Sequence, residues 1–424
     1  MPGKVLARLL LSRIRSHLLL FQRPEQSGFT PKKSTIDRIL ALRVLIERRL
    51  EFRQRLLAAY VDLKKAFDSV HRESLWEILR IRGIPAKIID LISALYSNTV
   101  SAVKCGGPYS DSFPVNSGVR QGCVLAPTLF NACMDWVLGR VADRGLCRAS
   151  IGEAEVTDLD FADDAALLAE SLDNLVEALE ALEMETRPLG LQVSWTKTKV
   201  QSFDDCLAGC SAVSVCGESV EVLDRFTYLG SVIQSSGGSD LEVDRRLGLS
   251  YGVMESLNQA VWRCRYLSKR TKIQVFKVLV LPVMLYGAET WTLTASLETR
   301  LNAFVTKSLR RILGYRWNDF VSNHRLLQET GVRLATCLIR ERKLRFFGHM
   351  ARLPTHDPVY QVLSAKTPAT WKRPRGRPRA TWLYQIDGHC RELGIGRELA
   401  WGLAKRDPAG WRSRVNAATR CFGV

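Results

Sequence analysis

The chain has 424 residues, 46% hydrophobic and 25% charged, with a formal net charge of +18. This composition excludes collagen, coiled coil and wholesale disorder and carries enough apolar content for a sizeable core, and the length predicts two or three domains. The charge is divided unevenly: residues 1–240 hold 28 Lys and Arg against 30 Asp and Glu, whereas residues 241–424 hold 33 against 13, so a neutral front half precedes a basic half suited to a polyanion.

In chain order, Leu6, Leu9, Leu10, Ile14 and Leu18 recur at helical spacing, and the arginines among them suit an amphipathic helix better than a signal peptide. A polar turn over Arg23–Ser34 precedes a second helix through Leu40–Leu50. The apolar run Leu56–Val61 reads as a buried strand that delivers Asp62 at its tip. Helices follow over Arg72–Arg82, stopped by Gly83 and Pro85, and over Ala86–Tyr96. Val100–Cys105 and Ser112–Val115 read as a hairpin, and Gly118–Pro127 as a glycine-marked turn into an apolar helix. Val156–Phe161 and Ala165–Ala169 form a second hairpin with Asp163 and Asp164 at its bend. A helix over Leu172–Thr186 ends at Pro188 and Gly190, and short strands alternate with loops as far as Ile233.

From Leu241 to Leu313 the pattern is that of basic amphipathic helices, interrupted by Pro282 and Gly287, and helical patterning continues to about Met350. Residues 354–378 are rich in Pro, Arg and Lys and read as a linker. Trp382–Val424 holds a small amphipathic segment. The longest uncharged apolar run, Val278–Ala288, is too short to cross a bilayer, and no membrane partner is expected. Eleven cysteines without framework spacing point to a reducing compartment. Cys206, Cys210 and Cys216 lack a fourth ligand at zinc spacing and read as free thiols.

Asp62, Asp163 and Asp164 are the sharpest feature, because each follows an apolar strand and so meets solvent at a strand end. Carboxylates brought together in that way repel one another unless a divalent cation lies between them. Oxygen-only ligands suit Mg²⁺ or Mn²⁺, and two such ions clamp the attacking and leaving oxygens of a phosphoryl displacement.

The residues around them carry a resemblance. Tyr60–Val70 and Phe161–Asp164 look like the two metal-binding motifs of a reverse transcriptase, and Ser117–Pro127 lies between them as the family's third motif. Glu25–Thr35 resembles a fingers motif, Gly190–Lys199 the motif after the active site, and Tyr228–Ser231 the primer grip. Six motifs in order across residues 25–231 are most similar to the polymerases of non-LTR (LINE-like) retrotransposons. Arg345–His349 and Arg375–Arg379 look like segments that follow the polymerase in such elements.

The resemblance implies an α+β right-hand polymerase: partial fingers over 1–55, a palm with a small antiparallel sheet over 56–235, a helical thumb or connection over 236–350, and a basic nucleic-acid-binding tail over 351–424. It implies RNA-directed DNA polymerisation, in which a primer 3′-hydroxyl attacks a dNTP on an RNA template. Asp62, Asp163 and Asp164 would hold two Mg²⁺ or Mn²⁺ ions. Phe67 matches the ring that crowds a ribose 2′-hydroxyl, with core packing as the competing role. Gln121 and Gly122 would meet the nascent base pair, and Arg120 a phosphate. Lys197 would donate a proton to pyrophosphate or contact phosphate, and Lys32 and Lys33 would touch triphosphate or template. Tyr228, Leu229 and Gly230 would form the primer grip.

Arg373, Arg375, Arg377 and Arg379 lie in an Arg-Gly-Arg-Pro stretch that resembles minor-groove-binding AT-hook peptides. A flexible basic linker is the competing reading. Trp262, Tyr266, Trp291 and Trp317 suit either base stacking or core anchoring. In the family, further fingers strands precede a segment like Pro2–Ala7, so the chain reads as an N-terminally truncated copy. The alternative function is a catalytically silent remnant that binds nucleic acid through the basic half. A nuclear location follows from how such elements integrate.

Overall fold

The computed structural model describes residues 2–420. The chain divides into two compact units: the first holds Met1–Arg38, Gln54–Asp224 and Ala365–Ala369, the second Ile39–Arg53, Arg225–Ser364 and Thr370–Val424.

The first unit is built on a six-stranded sheet. In chain order the strands are β1 (Leu57–Val61), β2 (Asp158–Phe161), β3 (Asp164–Ala169), β4 (Lys199–Ser202), β5 (Ala212–Val215) and β6 (Glu218–Val222). Across the sheet they run β2-β3-β1-β4-β6-β5. The uninterrupted apolar run of β1 places it centrally, buried at every position. The sheet is antiparallel, as expected, apart from one parallel pairing of β4 with β6. Leu57, Ala59 and Val61 share a core with the helices Pro2–Phe21, Arg72–Ile81, Ala86–Tyr96, Ala126–Ala142 and Leu172–Thr186.

The helical readings hold, with one shift of face. In Pro2–Phe21 the buried stripe is Ala7, Leu10, Ile14 and Leu18, while Leu6 and Leu9 face outward. The hairpin expected over 100–115 forms a short pairing of Val100–Ser101 with Phe113–Pro114, continued toward its exposed tip by a Lys104–Tyr109 bridge and by Ser110 N–H donating to the Val103 carbonyl at 2.9 Å. Val156 belongs to a separate small hairpin, Ala149–Ile151 with Ala154–Val156.

The second unit is helical around its own core, in which Phe276, Trp291, Phe304 and Leu309 are buried among the helices Asp240–Ser256, Lys269–Val275, Ala295–Leu313 and Ala335–Met350. Its C-terminal part corrects the sequence reading. The expected linker contains a helix, Pro358–Ser364, and the small amphipathic segment is three helices: Trp382–Glu392, Arg397–Arg406 and Pro408–Arg420. They pack because large aromatics anchor them. Trp382 is fully buried and donates its indole N–H to the Glu289 carbonyl at 2.7 Å. Trp411 donates to the Leu344 carbonyl at 3.0 Å and occupies the space that a Cβ on Gly348 would take. The Arg345–His349 motif is therefore, in this structure, the seat of Trp411. Residues 421–424, at the end of the segment read from sequence, lie outside the described residues.

Candidate active site

The site begins with strand register. β1 pairs with β3 from Leu57↔Ala169 to Val61↔Ala165, and one further step puts Asp62 opposite Asp164. β2 pairs with β3 as far as Phe161↔Asp164, leaving Ala162 and Asp163 as a two-residue turn. Asp164 is thus the first residue of a strand, where the sequence had put it in the bend. Ala162 takes φ 63°, a left-handed conformation that costs energy for a residue with a side chain and persists only when neighbours enforce it.

Those neighbours come from residues 25–28, which the sequence reading assigned to the fingers. Gln26 is buried and clamps Ala162 at both ends: its side-chain carbonyl accepts from the Ala162 N–H at 2.9 Å, and its amide donates to the Ala162 carbonyl at 3.2 Å. Ser27 N–H donates to the Asp160 carbonyl at 2.9 Å, and Asp160 N–H donates to the Glu25 carbonyl at 3.1 Å. A Cβ on Gly28 would collide with the Ala162 backbone, so only glycine lets this segment lie against the turn. Beneath it, Arg23 holds buried Asp158 at 2.5 Å and lies 3.9 Å from buried Asp160. Burial, together with the neighbouring Asp158 charge, pushes the Asp160 carboxyl well above the usual range. Sequence reasoning passed over Gln26, Gly28 and Asp160; the one signal available was a short Gln-Ser-Gly run ahead of a helix.

Asp62 is fixed from the other side. Its carbonyl accepts from Ser194 N–H at 2.8 Å and its N–H donates to the Thr198 hydroxyl at 3.3 Å. The same loop brings the Lys197 ammonium to 3.4 Å from Asp62 Oδ2, an oxygen that accepts no hydrogen bond. Partial desolvation, then the charges of Asp163 and Asp62, push the Asp164 carboxyl up to about 6. Among the described residues no three His, Cys, Asp or Glu side chains form a ready-built metal cage. An open, oxygen-only set of mutually repelling carboxylates nonetheless fits a hard divalent cation that keeps substrate phosphates as its other ligands.

Phe67 is half-buried, stacked on Phe130 at 4.4 Å and set edge-on to Phe29 at 6.4 Å. This packing agrees with the core role read for Phe67 as the competing one. Gln121 donates to the Asp68 carboxylate at 3.2 Å, and Gly122 has φ 82° with open space around it. Gly118 and Gly190, at φ 78° and 72°, pack on the backbone of Asp68 and Ser69, where a Cβ would come within 2.6 Å. Arg120 donates to the Thr99 hydroxyl at 2.9 Å and lies over the Tyr96 ring. Lys32 is exposed, whereas Lys33 is half-buried, its ammonium pushed down to about 8 by burial and then by Arg38.

The other expected site residues fall in the second unit. Tyr228 is buried, and Leu229 and Gly230 form a tight turn at φ 46° and 76°. The Leu229 carbonyl accepts from the Tyr286 hydroxyl at 2.9 Å, and the Gly230 carbonyl from Arg245 and Arg246. Of the four tail arginines, two are engaged within the chain. Arg373 pairs with Glu51 at 2.5 Å, and Arg379 donates to the Ser236 carbonyl at 3.0 Å. Arg375 and Arg377 stand exposed between them. All ten cysteines among the described residues are free thiols.

An α+β fold whose central strands end in carboxylates is that of the right-hand polymerases. Residues 1–233, more than half of the chain, match the family model of reverse transcriptase (RNA-dependent DNA polymerase), and the chain belongs to that family. Among curated proteins it is 29% identical to the Retrovirus-related Pol polyprotein from type-1 retrotransposable element R2 of Nasonia vitripennis, over 56% of this chain and 24% of that one. It is 25% identical to the RNA-directed DNA polymerase from mobile element jockey of Drosophila funebris, over 74% of this chain and 35% of that one. The chain therefore spans between a quarter and about a third of these relatives, which are non-LTR retrotransposon proteins. A solved telomerase from Candida tropicalis, in complex with a TWJ fragment of telomeric RNA, aligns over 98% of this chain and 55% of its own at 13% identity, with a TM-score of 0.41. No helix among the described residues is long and apolar enough to cross a membrane.

Proposed function

We propose that this chain is an RNA-directed DNA polymerase that adds dNTPs to a DNA primer 3′-hydroxyl on an RNA template. The observation that carries this reading is the strand register that sets Asp62 opposite Asp164, with Asp163 in the adjoining turn. These three carboxylates would hold two divalent ions, Mg²⁺ or Mn²⁺. Such ions, when bound, would supply the positive charge that offsets the negative charge developing on the phosphoryl oxygens of an in-line displacement. Lys197 sets an ammonium beside Asp62, suited to meet the leaving pyrophosphate. Phe67, fixed by Phe130, offers a rigid ring edge to a ribose 2′-hydroxyl, and Gln121 and Gly122 present an open backbone to the base pair. Arg120, Lys32 and Lys33 supply phosphate contacts.

In this reading residues 1–55 are fingers, 56–235 palm, 236–350 thumb and 351–424 a nucleic-acid-binding tail. The turn at Tyr228, Leu229 and Gly230 serves as primer grip. Arg375 and Arg377, left exposed between two anchored arginines, are the tail residues free to reach DNA, and a nuclear location belongs to the same reading. Kinship with retrotransposon polymerases and the intact carboxylate set do not favour a silent nucleic-acid-binding remnant. The test is primer extension on an RNA template with Mg²⁺ or Mn²⁺, comparing the chain with Asp163→Asn. Extension lost in the variant supports the reading. No extension from either folded protein, with RNA still bound, overturns it in favour of the remnant.

A further inference from the structure

Four aromatics of the basic half separate sharply in the fold. Trp262 and Trp291 are core residues at 5% and 0% exposure, whereas Tyr266 and Trp317 are 99% and 89% exposed, and Phe320 joins them at 86%. Rings of this size left in water forgo the stabilisation of burial, and several together on one surface mark a place that something else covers.

The three rings stand on two loops that are tied to each other. Tyr266 precedes the helix Lys269–Val275, while Trp317 and Phe320 lie between the helices Ala295–Leu313 and Asn323–Thr330. Lys269 joins the loops: its ammonium lies 5.8 Å from the Tyr315 ring centre and 3.8 Å from Glu329, which also accepts from the Tyr315 hydroxyl at 2.6 Å. Phe320 has φ 50°, a left-handed conformation that a bulky residue adopts only under constraint. The constraint is visible on both sides of it. Arg316 N–H donates to the Asp319 carboxylate at 2.6 Å, and the Arg310 guanidinium donates to the Val321 carbonyl at 2.9 Å. Trp317 and Phe320 are therefore held outward by their loop's own hydrogen bonds.

The surrounding charge is of one sign. Residues 257–275 contain five Lys or Arg and no acid. On the second loop the acids are engaged, Asp319 by the Arg316 backbone and Glu329 by Lys269 and Tyr315. A mixed-charge protein surface would leave these cations unmatched, and a second copy of so basic a half would repel it. Aromatic faces among cations match unpaired bases with their phosphates, since every base has a π-face and a duplex hides it.

We propose that Tyr266, Trp317 and Phe320 form a stacking platform for single-stranded nucleic acid, with Arg265, Arg270 and Arg316 taking its phosphates. The platform does not depend on polymerase activity and is read by binding alone. The experiment measures fluorescence anisotropy of labelled 12-mer oligo(rU), oligo(dT) and a DNA duplex against the full chain. It compares the wild type, a triple variant Tyr266→Ala/Trp317→Ala/Phe320→Ala and a conservative Trp317→Phe. The expected result is a loss of at least about tenfold in single-strand affinity for the triple variant, near-wild-type binding for Trp317→Phe, and unchanged duplex binding. Loss for oligo(rU) alone assigns the platform to RNA, and loss for both single strands to either. Equal single-strand binding by wild type and triple variant overturns the proposal. So does a triple variant that only shifts sedimentation from dimer to monomer, which would make the patch a self-association surface. Since the three side chains are exposed, unchanged circular dichroism is expected throughout.

Discussion

The Asp163–Asp164 pair and the Arg373–Arg379 segment look alike in sequence, each being a short run of like charge. In the fold they are built in opposite ways. The acidic turn is braced by Gln26 across Ala162, by Gly28 packed against it and by the β1 register that aligns Asp62. The arginine segment is pinned at its ends by Glu51 and Ser236, with Arg375 and Arg377 projecting between. Like charges that must share a small volume need a rigid scaffold to stay together, because left free they move apart. Charges that track a polyanion need reach more than rigidity.

Removing the acidic set breaks that contrast most strongly. Asp163→Asn should lower primer extension about a thousandfold, the scale of several kcal/mol of metal-assisted stabilisation, while equilibrium binding of primer–template stays near wild type. Gly28→Ala strikes the scaffold without touching a carboxylate. Its Cβ would displace the Ala162 turn, and urea unfolding should show a loss of about 2–3 kcal/mol together with a fall in extension. If stability and activity are unchanged, the brace has no part in positioning the turn.

On the basic side, Arg375→Ala/Arg377→Ala should reduce the slope of log affinity against log salt for DNA by about 2, one for each phosphate that is no longer neutralised. Arg373→Ala should cost no more than about 1 kcal/mol of stability, as a partly exposed ion pair. Equal salt slopes for the pair and the single variant would mean that the exposed and anchored arginines do not differ. The smallest effect concerns Asp164. Its carboxyl, held up to about 6, binds a proton more tightly in the folded chain than in the unfolded one, so this contribution to stability is full at low pH and lost as pH rises through 6. Asp164→Asn should therefore raise Tm in EDTA at pH 8 and leave it unchanged at pH 4, as read by thermal circular dichroism.

Much of the site was legible because it is local. The run Leu56–Val61 could only be a buried strand, so Asp62 had to sit at its tip, and the helix Leu172–Thr186 is bounded by the residues that cap and stop it. The role of Phe67 was open in sequence, since only the positions of Phe130 and Phe29 decide which part of its ring is covered. The C-terminal helices were under-read because their anchors, Trp382 and Trp411, meet partners more than 60 residues away.

By itself the sequence determined the main helices and central strands of the first unit, the carboxylates at their ends, the basic character of residues 241–424 and the family. Each of these rests on periodicity, composition or contiguous motifs, which act over one element at a time. Only the tertiary structure decided that residues 25–28 brace the acidic turn, that Gly348 admits Trp411, and which aromatics and arginines of the basic half remain exposed. Those outcomes depend on contacts between residues far apart in the chain, where one missing Cβ or one buried amide selects the packing, and no local pattern encodes the partner.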